Sequence, residues 1–224
     1  MTRHEFLAAL HDLLRPRTYL EVGVQYGTSL NLAVHSQAAW GIDPNPLIEP
    51  TDNQILARVT SDEYFAIRNQ IAVGDPRADA PIDLAFIDGM HLFEYALRDF
   101  QNIERYCHPR TVVVFDDVLP RNQWEARRLA PTDPVLGDWT GDVWKTAIVL
   151  EAHRSQLRYR WVDTQPTGIC TVTCFPGAYT PWSLAQDVVE QWSAIDIVPD
   201  HILERAGARD PQQVLDEIAK ELTP

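Results

Sequence analysis

Between Thr18 and Leu30 a short apolar run, Thr-Tyr-Leu-Glu-Val, breaks at Gly23 and restarts beyond Gly27. Few local structures accommodate such a stretch. Tyr19, Leu20 and Val22 are strand formers, Gly23 admits a tight turn where a Cβ would clash, and Gly27 lets backbone approach a ligand as Ser29-Leu-Asn-Leu-Ala-Val34 begins a helix. Strand, glycine turn and helix N-terminus follow one another. In an open α/β sheet such a turn lies at the carboxyl end of a strand, where these sheets bind ligands.

The same rhythm recurs along the chain. Trp40-Gly-Ile-Asp43 predicts a second strand, and Pro44, Pro46 and Pro50 then keep the following stretch irregular. Gln54–Thr60 predicts a third strand and Ser61-Asp-Glu-Tyr-Phe a helix with Ser61 or Asp62 at its N-cap. Ile82–Asp88 and Thr111–Asp117 are near-continuous apolar runs, as expected of strands buried on both faces, and Leu92–Phe100 is the helix between them. Strands alternating with helices at this spacing predict a parallel, doubly wound sheet. Before it, Phe6, Leu7, Leu10, Leu13 and Leu14 mark an amphipathic helix over residues 2–15, packed on the sheet or serving a lid. Beyond the fifth strand a helix is expected over 121–128, a loop over 131–141 and a helix over 143–154. Leu157–Val162 and Gly168–Cys174 then predict an edge hairpin.

A chain of 224 residues, 45% hydrophobic, suffices for one substantial core, so a single domain over 1–224 is expected. Residues 15–176 form its core fold, 1–14 its first helix and 177–224 a helical extension for dimerisation or packing, with nothing in its sequence to choose between them. No window approaches the roughly 18 apolar residues of a membrane span, and the N-terminus lacks a signal peptide's apolar centre, so a cytoplasmic protein without membrane contact is expected. Cys107, Cys170 and Cys174 show no metal-ligand spacing, and an odd cysteine suits a reducing compartment. The net charge of −13, with no basic run, argues against a nucleic-acid substrate.

Glycine spacing narrows the ligand. Dinucleotide turns read G-x-G-x-x-G, whereas Gly23 and Gly27 stand four apart with Glu21 at the strand end. Asp43 ends the second strand about 20 residues on, where an acidic side chain takes a pair of ribose hydroxyls. Glu21-x-Gly-x-x-x-Gly27 followed by Asp43 resembles motifs I and II of the class I S-adenosylmethionine-dependent methyltransferases. That resemblance covers about residues 15–176 and implies their Rossmann-like fold, a seven-stranded, mostly parallel sheet with an antiparallel edge hairpin. It implies S-adenosylmethionine as cofactor, with Glu21, Gly23, Gly27, Ser29, Asp43, Ser61, Asp62 and Asp88 as the residues around it. Ser61 and Asp62 have helix capping as their plainer role.

Two strand ends gather acids, Asp88-Gly-Met-His91 and Asp116-Asp117. In a doubly wound sheet these strands are neighbours, so three carboxylates converge beside the glycine turn and repel unless a cation compensates them. Hard oxygen donors without cysteine favour Mg²⁺, Mn²⁺ or Ca²⁺. The alternative is that the aspartates cap turns and bind backbone amides. His91, three residues past Asp88, serves as a general base, a metal ligand or a helix cap. Asp88-x-x-His91 followed by Asp116-Asp117 is similar to the metal-dependent sugar and macrolide O-methyltransferases related to cephalosporin-hydroxylase-type proteins. The resemblance implies Mg²⁺ on Asp88, Asp116 and Asp117, with His91 as base and a sugar hydroxyl, such as that of a mannoside or polysaccharide precursor, as acceptor. Some relatives carry Glu where this chain has Asp116. Gly141-Asp-Val-Trp-Lys145 also resembles a segment of that family, although Asp142 as a helix cap explains it as well. Trp124, Trp139 and Trp144 fall where a lid over the site has to originate. Rival readings are a catechol-like or natural-product O-methyltransferase, a non-catalytic cofactor-binding partner protein and, disfavoured by the glycine spacing, a nucleotide-dependent oxidoreductase.

Overall fold

The structure, a computed structural model, describes residues 1–71, 80–130 and 139–222. Its strands are β1 (Thr18–Val22), β2 (Ala38–Ile42), β3 (Gln54–Ala57), β4 (Ile82–Ile87), β5 (Cys107–Phe115), β6 (Arg158–Val162) and β7 (Ile169–Thr173). They form one sheet in the order β3-β2-β1-β4-β5-β7-β6, as the methyltransferase-like layout requires. β1 to β5 run parallel, and β7 and β6 close the edge as the antiparallel hairpin. Register matters more for the site than order does. Val22 pairs with Ile42 and Ile87, and Ile87 with Phe115, so the residues that follow, Gly23, Asp43, Asp88 and Asp116, emerge along one rim.

Period-two alternation divides the apolar residues between two layers. Leu20, Val22, Ala85, Ile87, Val113 and Phe115 face a cluster with Phe65 of α2 (Ser61–Ile71), Phe93, Leu97 and Phe100 of α3 (Phe93–Glu104), and Ala147 and Leu150 of α4 (Trp144–His153). Tyr19, Leu84, Phe86, Val112 and Val114 face the other way, onto Phe6, Leu7 and Leu10 of α1 (Arg3–Leu14) and Val214, Leu215, Ile218 and Leu222 of α7 (Pro211–Leu222). The apolar stripe of the C-terminal helix is therefore covered by the chain's own first helix. Between them, α5 (Gln186–Ser193) has no fully buried residue and α6 (Asp200–Leu203) buries Ile202. Among the described residues no helix is long and apolar enough to cross a membrane.

Three local expectations need correction. The helix predicted after Gly27 is only a 3-10 turn, Leu30–Leu32, with Val34 exposed. The glycine turn consumes so much of the short β1–β2 connection that no regular helix fits before Gln37 and Ala38 bond to the Arg17 carbonyl. Residues 121–128 form turns, because Asn122 Oδ1 accepts from the Trp124 and Glu125 amides and the Glu125 carboxylate accepts from Arg121, each a local bond that competes with helix. The N-cap of α2 is Thr60, not Ser61 or Asp62: Thr60 Oγ1 accepts from the Glu63 amide while Glu63 accepts from the Thr60 amide, a reciprocal capping box. Most of the loop predicted over 131–141 lies outside the described residues.

Candidate functional site

The glycine turn and the acidic strand ends touch. Gly23 has φ +87° and Gly27 φ +70°, and a Cβ on Gly23 would lie 2.0 Å from the Asp88 carbonyl oxygen, so only glycine allows β1 and β4 to end side by side. The Asp88 amide donates to the Val22 carbonyl at 2.8 Å. On the outer side, Asp43 Oδ2 accepts from the Val24 and Gln25 amides, both at 2.9 Å, and its Oδ1 accepts from the Asn45 amide at 2.7 Å. Asp43 thus holds the turn in shape.

Glu21 lies beneath the turn, fully buried. Its Oε2 accepts from the Tyr19 hydroxyl at 2.5 Å and its Oε1 from the Ser29 hydroxyl at 2.8 Å. Burial pushes its carboxyl up to about 8 against the pull of those two hydroxyls. At neutral pH it is largely protonated, a braced support for the turn more than an exposed carboxylate. Ser61 and Asp62 stand to one side: Asp62 pairs with Arg98 at 2.7 Å, and Ser61 bonds to Asp99. Asp99 was not singled out from the sequence. It is buried on α3, lines the small cavity beneath the acidic cluster, and has an Oδ1 without a hydrogen-bond partner. Burial raises its carboxyl to about 7.

The acidic cluster is built around His91, which has φ +54°. Its Nε2 lies 3.2 Å from Asp88 Oδ1 and its Nδ1 3.1 Å from Asp117 Oδ2 and 2.9 Å from the Trp139 carbonyl oxygen. The Trp139 ring stacks on the imidazole, centroids 5.3 Å apart. Burial disfavours the imidazolium, but the hydrogen bond with Asp88 and the charges of Asp117 and Asp88 outweigh it and raise His91 to about 10. Asp117, pushed up to about 6 chiefly by burial and pulled back by His91, accepts from the Thr167 hydroxyl at 2.5 Å. Its own φ of +61° lets it turn away from Asp116, which resolves the problem of two successive residues sharing one site.

Asp116 goes elsewhere. Its Oδ2 receives Arg3 Nη1 at 2.6 Å and its Oδ1 the Asp117 amide at 2.9 Å. Burial and the neighbouring carboxylates of Asp117 and Asp88 hold it well above the usual carboxylate range, with Arg3 opposing. The compensating charge that the sequence assigned to a metal is therefore supplied in part by the chain itself, through Arg3 and His91. A divalent ion still has a fitting donor set in Asp88, His91 and Asp117, which bring one ligand atom each within 4.8 Å of one another. This set exchanges Asp116 for His91 relative to the three aspartates expected. The two carboxylates suit a hard ion such as Mg²⁺ or Mn²⁺, whereas the imidazole is a softer donor that Mg²⁺ does not favour.

Behind His91, the Gly141–Lys145 segment is an anchor. The Asp142 amide donates to the His91 carbonyl at 3.1 Å, and Asp142 Oδ1 accepts from the Phe93 amide at 2.8 Å, capping α3 rather than its own helix α4. Lys145 Nζ, wholly buried, reaches Asp142 Oδ2 at 2.7 Å, and Arg128 reaches it at 2.5 Å. Trp144 is core, Trp139 covers His91, and Trp124 is half exposed under Arg127.

Residues 20–118 match the family described as methyltransferase domain. No curated protein matches the chain in sequence. Among solved structures it is similar to an O-methyltransferase from Bacillus cereus in complex with SAH (16% identity, TM-score 0.53, covering 76% of this chain and 80% of that one). It is also similar to a proposed caffeoyl-CoA O-methyltransferase from Staphylococcus aureus (14%, TM-score 0.55, 75% and 81%) and to a proposed O-methyltransferase from Klebsiella pneumoniae (17%, TM-score 0.51, 77% and 79%). At these identities the structural likeness speaks for the fold, and the family match for the segment that builds the rim. Residues 20–118 thus match a methyltransferase-domain family, and the sheet that carries them has the Rossmann-like fold of the class I S-adenosylmethionine-dependent methyltransferases.

Proposed function

We propose that this protein transfers the methyl group of S-adenosylmethionine to a hydroxyl oxygen of a small acceptor, in a centre that also takes a divalent ion, Mg²⁺ in the first place. The observation that carries the reading is the contact of the two halves of the rim. The turn Gly23–Gly27, held by Asp43, abuts Asp88, and Asp88 shares His91 with Asp117. Bound S-adenosylmethionine supplies a methyl group activated on a sulfonium. The chain's part is to hold that ligand, with Asp43 facing the ribose, and to place the acceptor oxygen in line beside Asp88 and His91.

His91 is the group placed to take the acceptor's proton. As the site stands it is a cation, and it acts as a base only when the charges of Asp88 and Asp117 are met from outside. An ion on these carboxylates would supply that charge and stabilise the oxygen that loses its proton. Trp139 and Thr167 keep the imidazole and Asp117 in place. A saccharide is the acceptor class that suits this equipment, since an alkyl hydroxyl is far less acidic than a catechol and needs both a base and a cation.

A metal-free methyltransferase is the second reading, and one observation favours it: Arg3 and His91 already compensate the carboxylates. Labelled cofactor, pooled glycosides, catechols and macrolides, with and without chelator, decide between them. The first reading expects methylated glycosides and no turnover in chelator. Full turnover in chelator selects the second, and preferential methylation of catechols removes the saccharide. His91→Ala should lower the rate by about 10²–10⁴ with S-adenosylhomocysteine affinity unchanged.

A further inference from the structure

Arg3 does more than compensate charge, because it is built into the site. Its guanidinium lies 2.6 Å from Asp116 Oδ2 and 3.8 Å from Asp117 Oδ1, and the Asp116 side chain is 1% exposed. This is not a surface ion pair that happened to form. The Arg3 amide donates to the Gln165 carbonyl and the Gln165 amide to the Met1 carbonyl, both at 3.0 Å, so the chain start is fastened to the β6–β7 connection. Two residues on, Thr167 donates its hydroxyl to Asp117. One connection thus fixes both the cation and the carboxylate it approaches. Thr2 and Glu5 cap α1 reciprocally, which sets the first turn from which Arg3 projects.

We infer that Arg3 is a resident counter-ion that removes Asp116 from the ligand set of the divalent-ion site and thereby limits the site's affinity for the ion. The inference rests on the proposed reading of Asp88 and Asp117 as carboxylate ligands of the ion, with His91 beside them as the base. A guanidinium held within hydrogen-bond distance of a buried carboxylate occupies the acceptor oxygen an ion would need, and its charge repels a divalent ion from the adjoining Asp117. Release of Arg3 leaves a third carboxylate beside the first two. A positively charged residue that is carried on a terminal helix and reaches the centre from outside the strand ends makes ion affinity a property of how the chain start is docked.

The test is Mn²⁺ binding to the purified full chain, followed by electron paramagnetic resonance, in the wild type, Arg3→Gln, Asp116→Asn and the double variant, with folding checked by circular dichroism. Arg3→Gln is expected to bind Mn²⁺ at least about tenfold more tightly than the wild type. Asp116→Asn should bind like the wild type, since Asp116 is not a ligand while Arg3 holds it, and the double variant should lose the gain. The double variant also guards against a fold upset by an unpaired buried carboxylate, because it removes both partners. Equal Mn²⁺ affinity in wild type and Arg3→Gln, or a large loss in Asp116→Asn alone, overturns the inference and leaves the ion reading intact. Absence of Mn²⁺ binding in every variant overturns both.

Discussion

The imidazole of His91 lies face to face with the indole of Trp139, 20° from parallel, while the carbonyl of that same tryptophan accepts from the imidazole edge. One residue therefore fixes both the plane and the rotation of the ring. Gly141 makes this possible. It has φ +56°, and a Cβ there would lie 1.7 Å from the His91 carbonyl oxygen, a contact no small shift relieves. Gly141→Ala should destabilise the fold by about 1–3 kcal/mol, the scale of a strained backbone position, and lower turnover while S-adenosylhomocysteine affinity is kept. Urea denaturation and calorimetry check the two halves separately. Wild-type stability would mean that the His91 loop yields freely.

Asp43 shapes the turn and is proposed to hold the ribose, two roles that substitution can separate. Its oxygens accept from the Val24, Gln25 and Asn45 amides, which leaves one lone pair on Oδ1 for the ribose hydroxyls of the proposed cofactor. Asp43→Ala should weaken S-adenosylhomocysteine binding by roughly 1–3 kcal/mol, the scale for hydrogen bonds with a charged group. Asp43→Asn keeps one acceptor oxygen and should recover part of the loss. If calorimetry gives both variants the wild-type affinity, Asp43 only shapes the turn and the ribose is held elsewhere.

The rim was legible because each strand announces its own end. Apolar runs stop at Asp43, Asp88 and Asp116, and strands that pair in parallel bring such stops into register. What joins the stops was not legible. Arg3 meets Asp116 from 113 positions away, and Thr167 meets Asp117 from the far hairpin, so no local periodicity points to either contact. Asp116 read as a ligand because its charge is plain in the sequence while its partner is not. The helix expected after Gly27 failed for a related reason: Leu30, Leu32, Ala33 and Val34 have helical spacing, but the connection's length and its bonds to Arg17 and Asn53 decide its path. Asp142 carried a capping signal that was correct in kind. The helix it caps, α3, lies 49 positions back in the chain.

Glu21 gives the fold a pH dependence. In the unfolded chain its carboxyl titrates near 4.3, whereas burial holds the native group to about 8. Between those values the native state retains a proton that the unfolded state has lost, so stability falls as pH rises, by at most about 1.4 kcal/mol per pH unit from this group. Below about 4 both states are protonated and the slope vanishes; above about 8 both are ionised and the loss is complete. Glu21→Gln should flatten urea-denaturation stability between pH 5 and 8. The carboxamide keeps one acceptor oxygen and offers an N–H in place of the carboxyl proton, so the Tyr19 and Ser29 hydroxyls keep partners. Asp99, raised by burial to about 7, keeps a slope of the same sign and size over the narrower window below about pH 7. A variant as pH-dependent as the wild type would show that Glu21 is ionised in the fold.

Lys145 carries the last prediction. It is fully buried, and its ammonium reaches Asp142, which is itself buried and caps the helix that follows His91. Arg128 shares the same carboxylate oxygen but is a quarter exposed, so its removal lets water in where removal of Lys145 does not. Lys145→Met fills the space and leaves Asp142 with half its countercharge in a dry site. Breaking one side of a buried pair costs about 3–5 kcal/mol, whereas replacing both partners with neutral groups costs far less. Lys145→Met should therefore approach that loss, and Lys145→Met with Asp142→Asn should be more stable than Lys145→Met alone, because the amide still accepts from the Phe93 amide without demanding a cation. Arg128→Gln should cost less than Lys145→Met. Urea denaturation of the three variants measures the order, and a double variant less stable than Lys145→Met would mean that the Asp142 carboxylate is satisfied by Arg128 and the helix end alone.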